Sequence, residues 1–327
     1  MATSNCSGYL RRLISVKAPI RIIVAFLNAY AAIAQPSSVK TIIDSQTSQP
    51  VSYATVYYLN TKKGEITDNS GTFRMQELRA KPGDSVRISA LGYHTAVFEM
   101  RLVQKRDTLF LSPEPIQLGP VTISAKGTKT STKTLGFVRK LGVVVNGYCP
   151  NSNMITATFV AAEGLGLSPI RKVVCSIVPK KNELVSTFRV RVRLLTPRSD
   201  NGLPHKDLLV ENVVVDLPID AQKLEFDLSD KSILLPPSGV WVAVESLGYT
   251  DRSGGYRPIR DDEFGKTTPK ISKKYRVKSI DRIAPMYQYI RLSERLSAGK
   301  SWNSSWSYFT FDPKMTLCFG LEVEVSK

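Results

Sequence analysis

Three observations predict an all-β chain built as two sandwiches. Apolar and polar residues alternate with a period of two through many short runs, as half-buried strands require. Clusters of Gly, Pro, Asn and Asp separate those runs. No segment carries a long helical period. The 327 residues accommodate two domains of roughly 100–200 residues each, and an apolar content of 42% can fill two cores.

The chain begins with a different kind of segment. Arg11, Arg12, Lys17 and Arg21 precede an apolar run from Ile22 to Ala34 that closes on Ala32-Ile33-Ala34. A basic stretch, an apolar stretch and a small-residue site, in that order, mark a secretory leader. The apolar run of about 13 residues is shorter than the ~20 a helix needs to cross a bilayer. Residues 1–34 are therefore expected to be a signal peptide, cleaved after Ala34, with no transmembrane span left behind. The expected destination is outside the cytoplasm: periplasmic, outer-membrane-associated or secreted. Cleavage removes four basic residues and no acid, lowering the net charge by four from +17. So basic a chain attracts anionic polysaccharide, lipid headgroups or nucleic acid, or its charge serves solubility alone. Nucleic acid is not the expected partner, because no helix-turn-helix, zinc-finger or RNA-binding signature is present.

Short strands then run from Val39 to Leu111. Tyr53-Ala54-Thr55-Val56-Tyr57-Tyr58 is rich in β-branched and aromatic residues. Gly64 opens a second run, and Asp68-Asn69-Ser70-Gly71 makes a tight turn before Thr72-Phe73-Arg74-Met75. Phe73 and Met75 share a parity and are expected in the core. Lys81-Pro82-Gly83-Asp84 is another turn; beyond it Val86, Ile88 and Ala90 alternate with Arg87 and Ser89. Thr108 to Leu111 supplies a last strand.

These same residues carry a family resemblance. Pro50-Val51-x-Tyr53-Ala54-x-Val56, Gly64-x-Ile66-Thr67-Asp68-x-x-Gly71-x-Phe73 and Gly83-Asp84-x-Val86-x-Ile88-Ser89-x-Leu91-Gly92-Tyr93 follow in order. The series resembles the carboxypeptidase-like regulatory domain, which implies a transthyretin-like sandwich of seven strands over residues 39–112. Members of that family stand beside carboxypeptidase catalytic domains, precede outer-membrane nutrient receptors of Gram-negative bacteria, or occur in other exported proteins. Leu118-Gly119-Pro120-Val121-Thr122-Ile123-Ser124-Ala125 is similar to the short strand that follows the module in such receptors. The about 200 residues beyond it are too few for a receptor's plug and barrel.

Residues 113–134 are expected to be a linker, since Gly127 to Thr134 is polar and low in complexity. Residues 135–327 then read as a second, jelly-roll-like sandwich. Phe188, Val190, Val192 and Leu194 alternate with Arg189, Arg191 and Arg193, and Leu224, Phe226 and Leu228 alternate with Lys223, Glu225 and Asp227. Val240 to Leu247 is almost wholly apolar, as a central strand covered on both faces would be. Leu317, Phe319, Leu321, Val323 and Val325 form a closing strand. The second half is also similar to the C-terminal part of some exported regulatory-domain proteins, which implies no activity. Beyond Cys6, the cysteines are Cys149, Cys175 and Cys318; Cys175 is expected to be buried, and a bridge, if present, joins Cys149 to Cys318.

A metallocarboxypeptidase needs two histidines and a carboxylate on zinc. This chain has only His94 and His205, one in each half, and neither lies in a zinc-binding pattern. No G-x-S-x-G elbow is present, and His205 follows Gly202-Leu203-Pro204, read as a surface turn. No catalytic residue, metal or cofactor is therefore expected, and the chain is not read as an enzyme. Glycoside hydrolysis, which needs two carboxylates roughly 5–9 Å apart, would require Glu245 to converge with an acid such as Glu163. Glu245 in an apolar strand needs a cation, and the arginine row is the expected partner.

Candidate ligand-binding residues fall into two groups. Arg189, Arg191 and Arg193 repeat every ~6.8 Å on one sheet face. They could hold sulfated or carboxylated sugars, or be balanced by Glu225 and Asp227. Trp302 and Trp306 flank a polar turn where they could stack on sugar rings, joined by Tyr249 and Tyr256 if the loops converge, or else they pack into the core or rim. Segment 252–282 is a basic excursion that either binds or is simply solvated. The expected role is thus an exported, non-catalytic binding or structural protein of the bacterial envelope, with an anionic or neutral polysaccharide as ligand. The alternatives are an envelope-protein interaction module of an outer-membrane assembly and, less favoured, a glycan-acting hydrolase.

Overall fold

The computed structural model describes residues 39–75, 81, 83–114, 130–138, 147–148, 154–179, 185–258, 286–291, 297–301, 307–308 and 315–326. The expected leader and the Leu118–Ala125 strand lie outside them. Among the described residues the fold is all-β apart from one short helix. Seven strands make the first unit: β1 (Val39–Asp44), β2 (Thr55–Tyr58), β3 (Lys63–Ile66), β4 (Thr72–Arg74), β5 (Ser85–Ser89), β6 (Ala96–Glu99) and, after helix α1 (Met100–Lys105), β7 (Thr108–Leu111). They form two sheets, β4-β1-β7 and β3-β2-β5-β6. Of these strands only β1 and β7 pair in parallel, and helix α1 carries the chain to β7 from β6 in the other sheet.

The alternation read from sequence is what closes this sandwich. Val56, Tyr58, Val86 and Ile88 from one sheet meet Ile42, Phe73, Leu109 and Leu111 from the other, and Met75 lies against them. The 68–71 turn is fixed by Asp68, whose Oδ1 accepts from the amides of Ser70 and Thr72 at 3.0 and 2.9 Å. Gly71 sits at φ 69°, and a Cβ there would come within 2.7 Å of the Ile42 carbonyl. Helix α1 escapes sequence reading because six residues are too few to show a period, yet it buries Met100 and Val103. The second strand starts at Thr55 and not at Tyr53, because Tyr53 takes the left-handed conformation at φ 56°.

The second unit has two facing sheets. Its strands are β8 (Thr130–Gly136), β9 (Gly147–Tyr148), β10 (Met154–Val160), β11 (Ile170–Val178), β12 (Val185–Pro197), β13 (Pro204–Asp207), β14 (Val213–Pro218) and β15 (Lys223–Asp227). They continue as β16 (Val240–Asp251), β17 (Tyr256–Pro258), β18 (Met286–Arg291), β19 (Ser297–Ser301), β20 (Ser307–Tyr308), β21 (Met315–Leu317) and β22 (Phe319–Ser326). One sheet runs β13-β12-β16-β10-β19-β20, with β14 also on β12 and β17 on β16. The other runs β21-β18-β11-β22-β8, with β15 on β11 and β9 on β18. Between them lies one core in which Phe188, Val190, Val192, Val242 and Val244 face Val173, Cys175, Phe226, Phe319 and Leu321. β16 is the expected central strand, with every residue from Val240 to Gly248 buried.

Three local expectations change. Thr130–Thr134, assigned to the linker for its polarity, is strand: β8 pairs with β22 along its whole length, from Gly136 opposite Gly320 to Thr130 opposite Ser326. An edge strand with one solvated face tolerates such a composition. The closing strand is two strands that part at Cys318, whose carbonyl accepts from the Ser176 amide at 2.9 Å. His205 lies in β13 and not in a turn, though it is exposed.

Cys149 lies outside the described residues, and so does the expected bridge to Cys318. Cys175 and Cys318 are both fully buried. Burial, with the neighbouring Cys318 second, pushes the Cys175 thiol well up. Since the thiolate is the reactive form, Cys175 is expected to resist iodoacetamide at pH 8 in the folded protein and to react on denaturation. Peptide mapping by mass spectrometry reads this directly, and native-state labelling of Cys175 at the rate of an exposed thiol would contradict its placement.

Candidate functional site: a cationic cavity between the sandwiches

The arginine row faces the first sandwich. Arg189, Arg191 and Arg193 project from β12 opposite the core parity, and Arg191 is turned into the junction with its side chain 5% exposed. Its Nη2 and Nε donate to Glu245 Oε2 at 2.6 and 3.0 Å, and its Nη1 donates to Asn212 Oδ1 at 2.7 Å. The same Nη1 reaches the Tyr53 carbonyl of the small sandwich at 3.3 Å, beside a contact from Asn212 Nδ2 to the Ser52 carbonyl at 3.4 Å. The left-handed backbone at Tyr53, which costs a non-glycine residue roughly 1–3 kcal/mol, belongs to this contact. Around it Tyr53, Tyr57 and Ile66 of the small sandwich pack with Leu247 and Val214 of the large one. Leu91, from the motif that carries the resemblance, reaches the large core itself.

Beside this junction opens a cavity of about 350 Å³, in the lower range of small-ligand sites, which run from roughly 300 to 1,000 Å³. The small sandwich contributes Thr55, Arg87, Ser89 and Thr95, and the large one Ile155, Arg191, Arg193, Glu245 and Lys300. Arg87 extends from β5 with its guanidinium 5.1 Å from the Tyr57 ring centroid. Arg193 Nε donates to Asp207 Oδ2 at 2.7 Å. Burial favours the neutral form of Glu245, but the charges of Arg191 and then Arg193 outweigh it and hold the carboxyl below its ordinary range. Lys300, opposite Ile155 in the β10–β19 pairing, is pushed down to about 8 by burial first and Arg193 second. The cavity is therefore bordered by four basic side chains, and its one carboxylate among the described residues is committed to an arginine.

The sequence-predicted site residues separate. Glu245 does take its charge from the arginine row. The row is balanced by Asp216, Glu245 and Asp207, and not by Glu225 and Asp227. Glu225 faces away, where it pairs with Lys172 and Lys223, and Asp227 caps the Ser229 amide. Arg189 binds Asp216 through two bonds of 2.6 Å and lies 4.5 Å over the Tyr256 ring. Tyr249 has the opposite parity and packs against the large core, so the two tyrosines do not converge on one surface. Trp302 and Trp306 lie outside the described residues, as do residues 259–282 of the basic excursion. Its first part is a tight hairpin: Asp251 Oδ1 accepts from the amides of Ser253 and Gly255, and hydrogen bonds from the Ser253 side chain and the Gly255 amide hold its carboxyl down at about 2.

Glu163 sits in an exposed turn, paired with Lys133 at 3.4 Å, and does not line the cavity with Glu245. His94 and His205 are exposed on separate units. Among the described residues no group of three or more His, Cys, Asp or Glu is arranged to hold a metal, and no helix is long and apolar enough to cross a membrane. Sequence reading missed Arg87, Asn212 and Lys300. Arg87 sits at a polar position of a regular strand, and Ser297-Ala298-Gly299-Lys300-Ser301 shows no strand alternation.

The family described as the CarboxypepD_reg-like domain matches residues 41–123, the span of the seven-stranded unit and the segment that follows it. No match is found among curated proteins or among solved structures.

Proposed function

We propose that this chain, with its CarboxypepD_reg-like domain, is an exported, non-catalytic binding protein of the bacterial envelope. Its ligand is a polysaccharide, and its site is the cavity between the sandwiches. What supports the reading is the lining: Thr55, Arg87, Ser89 and Thr95 of one unit and Arg193 and Lys300 of the other border one half-open cavity. A polyhydroxylated ring needs such a density of polar partners. The glycan-hydrolase alternative is weaker, since Glu245 is bound by Arg191 and Glu163 lies elsewhere.

A glycan array with the full-length protein, repeated with Ser89→Trp to fill the cavity, tests this. Wild-type binding to a defined set of glycans is expected, with loss in the variant at an unchanged melting temperature. Indifference to every glycan, or full binding by a folded Ser89→Trp variant, would end it. A second reading, docking of an envelope protein, draws on Val97 and Phe110, which are 59% and 48% exposed on β6 and β7. Photocrosslinking from position 110 in intact cells to one defined envelope protein would favour it.

A further inference from the structure

The charges that border the cavity have partners. Arg191 pairs with Glu245, Arg193 with Asp207, and Arg87 and Lys300 are engaged in interactions of their own. What stays open is hydrogen-bonding capacity. Arg193 donates through Nε alone, to Asp207, and keeps 20% of its side chain exposed. Its Nη1 and Nη2 meet no acceptor among the described residues, which leaves the outer edge of the guanidinium, two parallel donors, open. Glu245 uses Oε2 for Arg191, and its Oε1 accepts from none of the described residues. The hydroxyls of Thr55, Ser89 and Thr95 have no partner among them either. Thr55 and Ser89 stand opposite each other in the β2–β5 pairing, on the face that Tyr57 turns to the large sandwich. Ile155 and Leu91 add apolar surface.

An anion would meet an arginine whose charge Asp207 already offsets, beside a carboxylate oxygen that repels it. A hydroxyl both donates and accepts, so it suits the arginine and the carboxylate alike. Taking the polysaccharide reading above as its premise, we propose that the cavity seats one neutral sugar ring. Neighbouring ring hydroxyls accept from the Nη1–Nη2 edge of Arg193, and a ring hydroxyl donates to Glu245 Oε1. Thr55, Ser89 and Thr95 take hydroxyls on the side of the small sandwich, and the C–H face of the ring packs on Ile155 and Leu91. A planar fork of two parallel donors fits two oxygens held side by side, as neighbouring hydroxyls are. At about 350 Å³ the cavity is near the lower limit of small-ligand sites. A single ring therefore enters, and the rest of the glycan leaves through the open side.

Saturation-transfer NMR titration of the full-length protein with methyl glucoside, methyl galactoside, methyl mannoside and methyl glucuronide tests this. At least one neutral glycoside is expected to bind more tightly than the glucuronide by about tenfold or more. Arg193→Lys keeps a cation beside Asp207 but removes the fork. It should weaken that glycoside by about tenfold at an unchanged melting temperature. Ser89→Ala deletes one hydroxyl and should weaken it roughly fivefold. Should Arg193→Lys not fold, Ser89→Ala reads the same cavity, and wild-type affinity there would overturn the site. Glucuronide binding as tight as that of the best neutral glycoside would overturn the neutral site while leaving the polysaccharide reading intact. So would array glycans that bind while no methyl glycoside does, or a folded Arg193→Lys variant of wild-type affinity. No binding of any methyl glycoside or array glycan would overturn both.

Discussion

Replacing Arg191 by alanine is expected to destabilise the protein by about 3–5 kcal/mol, the cost of leaving a buried carboxylate without its cation. Glu245 is 3% exposed on a strand buried from Val240 to Gly248, so water replaces the guanidinium poorly. The same change removes the bonds to Asn212 and to the Tyr53 carbonyl, and with them a polar tie between the sandwiches. Arg191→Met with Glu245→Leu separates the two effects. The double variant should recover most of the stability, because apolar side chains of similar size can replace a buried ion pair at little cost. It should still lose the tie to Tyr53, so thermal unfolding is expected to split into two transitions. Chemical denaturation and calorimetry of the two variants beside wild type measure both quantities, and an Arg191→Ala protein as stable as wild type would remove the ion pair from the account.

The pair also fixes a pH dependence. Glu245 is held below its ordinary value of 4.5, so the folded form binds fewer protons than the unfolded one as the pH falls into the acid range. Its stabilisation is therefore complete at neutral pH and is lost as the pH drops below 4.5 towards the lowered folded value.

The second large effect concerns the small sandwich alone. Phe73 is 2% exposed and stands at the centre of its core, among Ile42, Val56 and Ile88. Phe73→Ala is expected to cost about 3–5 kcal/mol, the lost transfer energy together with the cavity left behind. Gly71 and Asp68 fix the turn just before it, so the strand cannot slide to fill the space. An unchanged melting profile would mean that β4 does not face this core.

What the sequence disclosed followed from periodicity. β12 and β15 announced themselves because their faces differ sharply, β16 because both of its faces are apolar, and the Asp68–Gly71 turn because only certain side chains make it. The family resemblance located the first unit for the same reason, through turn residues at fixed offsets. Composition misled at β8, whose Thr and Lys residues read as a linker because nothing local reveals that β22 lies alongside. The arginine row was legible as a row, but its role was not. Pairing with Asp216, Glu245 and Asp207 depends on which strands become neighbours, and its burial depends on a second unit docking over it. Arg87 and Lys300 belong to strands more than 200 positions apart, and they meet only because the two sandwiches do.

The claim beneath the function is that the two sandwiches are locked in one arrangement with a binding cavity between them. Pulsed dipolar spectroscopy between spin labels at exposed Val97 of the small sandwich and Val210 of the large one measures this directly. A single narrow distance distribution in the wild type, broadened by Arg191→Met with Glu245→Leu, is the predicted result. A distribution already as broad in the wild type as in that variant would contradict it.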